Sequence, residues 1–420
     1  MKKADSDYRA FLDILKEELI PAGGCTEPIA IAYTAAVARK TLGCRPEHMD
    51  VYASGNLIKN AKGVYIPNGG ELRGVDAAAI LGALGGNADR MLEVLLDLPD
   101  GVLDETQALM QQNYCKVHVI QGSEALHLIV NVQADGQTAE VELKNAHTHI
   151  VRIEKNGESV FRAEEDGTQD GFTDHSCLTV EKIVDFANTC DLADIEPTLQ
   201  KQIDCNMQIA EEGLNNRWGV NVGKLYYENG KLLQAYAAAA SDARMSGCEL
   251  PVCIVSGSGN QGITASVPVA VYAKELNVGE EKTIRAVLLS DLLTIHLKTG
   301  IGRLSAYCGA VSAGCAAGAA IAWLHGGGYA EIAHTLVNAL AITSGIVCDG
   351  AKPSCAAKIA TAVETGILGY EMYCDGQQFY SGEGLVGKGV ERTIRNIGRL
   401  GREGMRATDE EILRIMTQCV

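Results

Sequence analysis

The sequence predicts an α+β protein: an N-terminal α+β region that contains an antiparallel β-meander, followed by a mostly all-α C-terminal region. Three observations predict this arrangement. Helix and turn signals alternate through the first hundred or so residues. Between about residues 115 and 162, apolar and polar residues alternate with a period of two, which is typical of half-buried strands. After residue 175, apolar residues recur at helical spacing and strand signals nearly vanish.

The first helices are predicted from their apolar spacing and from residues that typically begin or end a helix. "MKKADSDYRAFLDILKEEL" has an amphipathic helix pattern and lacks the apolar run of a secretion signal, so we expect a cytoplasmic protein. In "CTEPIAIAYTAAVARKTLG", Thr26 is a candidate N-cap, Pro28 falls in the first turn and Gly43 ends the segment. This pattern predicts a helix from about residue 27. A glycine-punctuated loop over 53–74 and a helical "VDAAAILGALGG" follow.

The strands come next along the chain. "CKVHVIQG", "LHLIVNVQADGQTAEVELK" and "HIVRIEKNGESVF" contain D-G and N-G turns, which predict an antiparallel meander. We place a boundary near residue 175, dividing the chain into regions 1–175 and 176–420. The segment "RAEEDGTQDGFTDHS" before it could be an internal loop or a linker.

The amino-acid composition and the net charge limit the classes of molecule that the protein is expected to bind. The 420 residues are 47% hydrophobic, which is enough for one large core or two moderate ones. A net charge of -17 disfavours nucleic acid and anionic lipid as partners. The uncharged segment 304–324 is long enough to span a bilayer, but it consists mainly of Ala, Gly, Ser and Cys. We interpret it as a buried helix and expect no membrane partner.

Fourteen cysteines in a long chain without a secretion signal indicate reduced thiols, some of which bind metal or carry out chemistry. Cys348 and Cys355 flank a turn that contains Gly and Pro, so the chain can fold both thiols toward one ion. Cys308 lies 40 residues before Cys348 and could join them. Zinc sites usually have tighter spacing and four ligands, so spacing alone leaves metal binding open.

Seven segments carry a resemblance to a known family. In this order, they are "PAGGCTEP", "SGNLIKNAKGVYIPNGG", "NAHTHIVRIE", "SDARMSG", "SGSGNQGITASVPV", "RLSAYCGAVSAG" and "GIVCDGAKPSCAAK". Together they resemble the L-cysteine desulfidase family, formerly an uncharacterised family, which is related to the iron-sulfur L-serine dehydratases. The resemblance implies a [4Fe-4S] cluster held by three cysteines, which here are Cys308, Cys348 and Cys355. It also suggests a homodimer, as do the small-residue helices.

The implied reaction is a redox-neutral elimination. L-Cysteine loses its α-proton and β-thiol, and the product hydrolyses to pyruvate and ammonia. Three cysteine ligands leave one iron open as a Lewis acid. The resemblance assigns the base role to Cys25. Cys25 directly precedes a predicted helix, whose free N–H groups and dipole would lower the pKa of its thiol.

The segment "SGSGNQG", residues 256–262, could turn backbone N–H groups toward a carboxylate. It lacks the Gly-Lys-Ser/Thr ending of a P-loop, so nucleotide binding is not predicted. His147 and His149 are two apart and are expected on one face of a strand, but a zinc pair would need a further ligand. The resemblance places these side chains near the substrate: Thr26, Asn56, Lys59, Asn60, His147, Thr148, Arg244, Ser256, Ser258, Asn260 and Gln261.

Several alternatives stay open. A pyridoxal-phosphate enzyme could catalyse the same reaction, although no segment indicates a phosphate site beside a lysine. A non-enzymatic zinc or redox-sensor protein would also cluster thiols. The sequence does not decide between L-cysteine and L-serine as the substrate. The penultimate Cys419 could fold back onto the open iron, as a C-terminal cysteine does in related serine dehydratases, or end an amphipathic helix in solvent.

Overall fold

The computed structural model describes residues 1–120, 126–163 and 173–418. The α+β prediction is confirmed, with a sheet in the N-terminal region and helices through the C-terminal region. Most of the segment before the predicted boundary, and Cys419, lie outside the described residues.

The α-helices of the described chain differ widely in length. They are α1 (Ser6–Glu18), α2 (Thr26–Leu42), α3 (Gly55–Lys62), α4 (Val75–Gly85), α5 (Val102–Gln111), α6 (Val180–Thr189), α7 (Leu192–Asn215), α8 (Val222–Glu228), α9 (Leu232–Met245), α10 (Gly259–Glu275), α11 (Glu280–Ile301), α12 (Gly309–Leu324), α13 (Tyr329–Thr343), α14 (Cys355–Cys374), α15 (Val390–Arg399) and α16 (Arg406–Gln418). Short 3-10 turns lie at Ala88–Glu93 and His175–Cys177, and a π-helical turn at Leu400–Gly404.

The strands form two sheets. They are β1 (Ile20–Gly23), β2 (His48–Ser54), β3 (Cys115–Ile120), β4 (His127–Ala134), β5 (Gln137–Lys144), β6 (Ile150–Lys155), β7 (Glu158–Arg162) and β8 (Pro251–Ile254). The larger sheet has the order β3-β2-β4-β5-β6-β7, and α2 and α4 pack on it. Strands β4 to β7 are the predicted antiparallel meander.

Two local predictions are wrong. Strand β3 does not join the meander, because it pairs in parallel with β2, with Cys115 opposite Met49. The segment 53–74 is not only a loop: β2 ends at Ser54, and α3 begins at Gly55. Both differences arise from pairing between distant segments, which a local period cannot report.

The small sheet ties the two predicted regions together. Strand β1 pairs antiparallel with β8, with Pro21 opposite Cys253. Strand β8 is an exception to the expected loss of strands after residue 175. Helix α1 also buries Phe11 and Ile14 in the core of the C-terminal helices. As a result, the start of α2 and the start of α10 lie side by side.

The small-residue segment 304–324 forms the buried helix α12, as we interpreted it. It packs closely on α14: a Cβ atom added to Gly318 would lie 2.2 Å from the carbonyl oxygen of Gly366. Side chains this small are therefore required by helix packing. Within the described part of the chain, no helix is both long and apolar enough to cross a bilayer.

Candidate active site

Four helix N-termini meet around one cavity, and each contributes a side chain to its wall. Cys25 is the N-cap of α2, Ser258 that of α10 and Cys308 that of α12, whereas Cys355 is the first residue of α14. The first backbone N–H groups of a helix lack intrahelical partners, and the helix dipole is positive at this end. The cavity is therefore suited to anionic groups.

Backbone pairing brings Cys308 and Cys348 together. Tyr307 and Val347 form an isolated antiparallel bridge. The Cys348 N–H donates to the carbonyl of Ala306 (2.6 Å), and the Cys308 N–H donates to that of Ile346 (3.4 Å). This pairing brings Cys308 and Cys348 close together although they are 40 residues apart in sequence.

A tight turn returns the chain to Cys355. Gly350 has φ +95°, and a Cβ atom there would lie 2.4 Å from the carbonyl oxygen of Lys59, so the turn requires glycine. The Cys355 thiol donates to the Gly350 carbonyl at 3.7 Å. Asp349 forms ion pairs with Lys352 and Lys358, which fold the turn onto α14. All three cysteines line the cavity.

Two of the three thiols, Cys308 and Cys355, have a raised pKa, to which the neighbouring Cys348 contributes. Burial raises the pKa of Cys308 to about 12, with Cys348 and Cys355 adding repulsion and Lys358 opposing them. Burial also raises the pKa of Cys355, and Lys352 and Lys358 oppose that shift. Simultaneous ionisation of the thiols therefore needs positive charge nearby.

The metal-binding donors of this wall are three thiols. Across the described ranges, no group of three or more His, Cys, Asp or Glu side chains is arranged to hold one metal ion. An iron-sulfur cluster is larger than one ion and takes cysteine thiolates as ligands. Three converging thiols on one wall of a cavity suit that group.

Glu27 is the centre of the opposite wall. Its side chain is buried in the first turn of α2. Oε1 accepts a hydrogen bond from Asn60 Nδ2 (3.0 Å), and Oε2 accepts from Thr26 Oγ1 (3.1 Å) and Cys25 Sγ (3.4 Å). The Nε2 atom of His147 lies 3.9 Å from Oε1, which is an ionic contact beyond hydrogen-bond distance.

The charges on this wall contradict the pKa expected for Cys25. Burial raises the pKa of Glu27, but His147 and Arg244 more than offset it and hold the pKa at about 2. Burial and the Glu27 carboxylate raise the pKa of Cys25 well above its usual range, and Arg244 only partly opposes them. The prediction of a lowered pKa is wrong because burial and an adjacent buried anion together outweigh the helix N-terminus.

Arg244 links the loop before α2 to the start of α10. It lies in the last turn of α9 and lines the cavity. Its Nε donates to the carbonyl of Gly24 (3.2 Å), and its Nη1 donates to Asn260 Oδ1 (3.1 Å). No described carboxylate lies within 4 Å of its guanidinium group. Arg244 is therefore held by neutral acceptors and can receive an anionic ligand.

Comparison with known proteins now identifies the family. Residues 100–414, three quarters of the chain, match the family described as serine dehydratase alpha chain. The chain belongs to this family. Proteins named UPF0597 are similar over nearly their whole lengths. One from Desulfitobacterium hafniense is 50% identical, covering 100% of this chain and 99% of the relative. A relative from Lachnoclostridium phytofermentans is 48% identical, covering 97% of this chain and 99% of the relative. A relative from Treponema denticola is 44% identical, covering 98% of each.

In this serine dehydratase family member, nine of the predicted site residues line the cavity. They are Cys25, Asn60, Arg244, Ser258, Asn260, Gln261, Cys308, Cys348 and Cys355. The Oε1 atom of Gln261 is buried without a hydrogen-bond partner in the described chain, so it is available to a ligand. The cavity therefore gathers residues from six of the seven segments that carry the resemblance.

Six predicted residues lie outside the cavity wall. They are Thr26, Asn56, Lys59, His147, Thr148 and Ser256. Thr26 Oγ1 donates to the carbonyl of Gly257 (3.0 Å), and His147 lies behind Glu27. His147 and His149 occupy the turn between β5 and β6, so the prediction that they share a strand face is wrong.

Lys59 connects the site to the C-terminal helix. Its Nζ donates to Asp409 of α16 (2.5 Å) and to the carbonyl of Cys348 (3.2 Å). Lys62 also donates to the carbonyl of Met416 (2.6 Å). Lys59 therefore supports the loop that carries Cys348 and does not face the cavity. Helix α16 lies on α3, whereas Cys419 is beyond the described residues.

The sequence reasoning missed four charged residues of the wall, which are Glu27, Lys298, Arg303 and Lys358. Glu27 lies within the quoted "CTEP", where a carboxylate in a first helical turn has an ordinary structural explanation. Lys358 follows Cys355 by one helical turn, a spacing that could have indicated it. Lys298 has no such signal. Burial, with Lys59 and Arg303, lowers the pKa of Lys298 to about 8 despite opposition from Cys348 and Cys308.

Proposed function

We propose that this protein is a [4Fe-4S]-dependent lyase that converts L-cysteine to pyruvate, ammonia and hydrogen sulfide. The observation that carries this proposal is the meeting, in one cavity, of a Cys25–Glu27 pair with three converging thiols. Family membership supports lyase chemistry of the serine dehydratase type.

The walls of the cavity suit an amino-acid zwitterion. Arg244 would bind the substrate carboxylate, because its guanidinium group has only neutral acceptors among the described residues. The Gln261 amide and the N-terminus of α10 lie on the same wall. Glu27 would bind the α-ammonium group, because its low pKa keeps it ionised. Opposite charges at the two ends would orient the α-carbon toward Cys25.

Cys25 would then remove the α-proton. Its thiol donates to Glu27 at 3.4 Å, and that carboxylate raises its pKa. A substrate ammonium group on Glu27 would neutralise this negative charge and make the Cys25 thiolate easier to form. Substrate binding would therefore activate the base.

The elimination balances without an external oxidant or reductant. The Cys25 thiol would first release its own proton to solvent. The α-proton would then pass to the thiolate Sγ, and the electron pair of the Cα–H bond would form the Cα=Cβ double bond. The electron pair of the Cβ–S bond leaves with sulfur as hydrosulfide. The resulting 2-aminoacrylate tautomerises to an imine, which water hydrolyses to pyruvate and ammonia.

Cys308, Cys348 and Cys355 would hold the cluster. When bound through three cysteines, a [4Fe-4S] cluster supplies an iron with an open position that acts as a Lewis acid toward the substrate. The surrounding Lys298 and Lys358 are placed to favour the ionised thiols.

L-Serine dehydration is the second candidate, and the family description favours it. The same residues would expel hydroxide in place of hydrosulfide. Anaerobic turnover of both amino acids, with sulfide and pyruvate measured together, tests the assignment. We expect equimolar sulfide and pyruvate from L-cysteine and a higher kcat/KM than for L-serine. The opposite preference would make the protein a serine dehydratase. A protein with stoichiometric zinc, without labile sulfide and without turnover would not be a lyase of this kind.

A further inference from the structure

A buried lysine faces the thiol wall without a fixed side-chain partner among the described residues. Lys298 lies in the last turn of α11, and only 4% of it is exposed. It lines the cavity beside Cys308 and Cys348 and interacts electrostatically with both. In the described chain, its ammonium group makes no side-chain hydrogen bond and no ion pair with a carboxylate.

The neighbouring cations are compensated. Lys59 pairs with Asp409 at 2.5 Å, Arg303 pairs with Glu18 at 2.6 Å, and Lys358 pairs with Asp349. Lys59 and Arg303 also repel Lys298. A buried charge normally requires a partner, because its hydration is lost. Among the described residues, no carboxylate therefore compensates the charge of Lys298.

The helix terminus does not explain this position. A cation in the last turn of a helix is stabilised by the dipole, but an exposed side chain gains that stabilisation without losing its hydration. Lys298 is instead buried against two thiols. Its nearest candidate anions are the thiolates of Cys308 and Cys348.

We infer that Lys298 is the counter-ion of the three-thiolate site and stabilises the iron-sulfur cluster bound there. This inference rests on the proposed function, because it needs the cluster to be present. Three thiolates bring more negative charge than the iron-sulfur core compensates, so one unpaired cation completes the charge balance. Arg244, on the other wall, remains the better ligand for the substrate carboxylate.

The test compares Lys298→Met with Lys298→Arg after anaerobic cluster reconstitution. Lys282→Met is the matched control, because Lys282 lies on the same helix and its Nζ donates only to the carbonyl of Leu324 (2.9 Å). Iron and acid-labile sulfide content, the rate of iron loss to a chelator and the cluster reduction potential are measured. Circular dichroism of each apo-protein verifies folding.

We expect Lys298→Met to lose iron about tenfold faster than the unmodified protein, because a unit charge near the thiolates is removed. Its reduction potential should become more negative, since the reduced cluster carries more negative charge. Lys298→Arg should retain both properties, as should Lys282→Met.

Two results would overturn the inference. One is an unchanged rate of iron loss and an unchanged potential in a folded Lys298→Met protein. The other is the same unchanged cluster with a raised KM for the amino acid, which would make Lys298 a substrate ligand. If Lys298→Met does not fold, an Arg variant with fast iron loss would equally contradict the counter-ion role. Failure of the unmodified protein to bind iron would reject the proposed function instead.

Discussion

The two walls of the cavity hold the same kind of side chain in opposite electrostatic surroundings. On one wall, the nearest charged group to the Cys25 thiol is the Glu27 carboxylate, which accepts its hydrogen bond at 3.4 Å. On the other wall, Lys358 interacts electrostatically with both Cys308 and Cys355. Burial raises the pKa of the thiols on both walls, but the neighbouring charge adds to that shift at Cys25 and opposes it at Cys308 and Cys355.

This difference separates two tasks that cysteine can perform. A metal ligand must stay ionised, and flanking lysines favour that state. A base must gain and lose a proton, so its charge has to change when the substrate arrives. The anion beside Cys25 supplies a switch of that kind, because a cationic substrate group can neutralise it.

The largest predicted effect comes from replacing one of the three cysteines that we propose as cluster ligands. Replacement of Cys308, Cys348 or Cys355 by Ser should abolish iron binding and activity together, because a hydroxyl does not replace a thiolate ligand. Iron and labile-sulfide analysis after anaerobic reconstitution measures this effect. Cys374→Ser is the control: it lies at the exposed far end of the helix that begins with Cys355 and should bind iron normally. A full four-iron content in two of the three variants would remove the cluster assignment.

Much of each wall could be anticipated from local sequence. The start of α2 follows from Pro28 and the apolar spacing, which predict a helix from about residue 27. The structure begins that helix at Thr26, so the N-cap is Cys25 and the prediction of Thr26 as the N-cap is wrong. The turn between Cys348 and Cys355 follows from Gly350 and Pro353. These features depend on residues close together in the chain, where turn and capping preferences act.

The charge environment could not be anticipated in the same way. The high pKa of Cys25 depends on its burial and on the Glu27 carboxylate. Arg244, which partly opposes both, reaches the site from α9 more than 200 residues later. Lys298 faces the thiols only because α11 and α12 pack against each other. The parallel pairing of β2 with β3 is likewise non-local. Local periodicity contains no record of such contacts.

The second predicted effect comes from removing the proposed base, Cys25, while leaving the three other thiols in place. Cys25→Ala should keep the cluster absorption spectrum and lose exchange of the substrate α-proton in deuterated buffer, because the group that removes the proton is gone. Exchange is followed by NMR on L-cysteine or an unreactive analogue. Cys44→Ala is the control, since Cys44 is exposed just beyond the other end of α2 and should leave exchange normal. Normal exchange in Cys25→Ala would assign the base to another residue.

The smallest predicted effect comes from removing the negative charge beside Cys25. Glu27→Gln keeps the shape of the side chain but removes the charge that raises the pKa of Cys25. The pKa of Cys25 should therefore fall, and more thiolate should be present at any pH below it. At pH 8, alkylation of Cys25 should accelerate about tenfold or more, because each unit of pKa gives a tenfold change in thiolate.

Peptide mass spectrometry resolves Cys25 from the other thirteen cysteines and follows its alkylation over a range of pH. Glu142→Gln is the matched control. Glu142 is also a partly buried carboxylate with histidine and arginine partners, His127 at 2.8 Å and Arg152 at 2.9 Å, but these lie in the sheet away from any cavity thiol. The control should leave the alkylation of Cys25 unchanged. If Glu27→Gln slowed alkylation or left it unchanged while Glu142→Gln behaved as expected, the carboxylate would not be what keeps Cys25 protonated. The electrostatic difference between the two walls would then rest on the lysines near Cys308 and Cys355 alone.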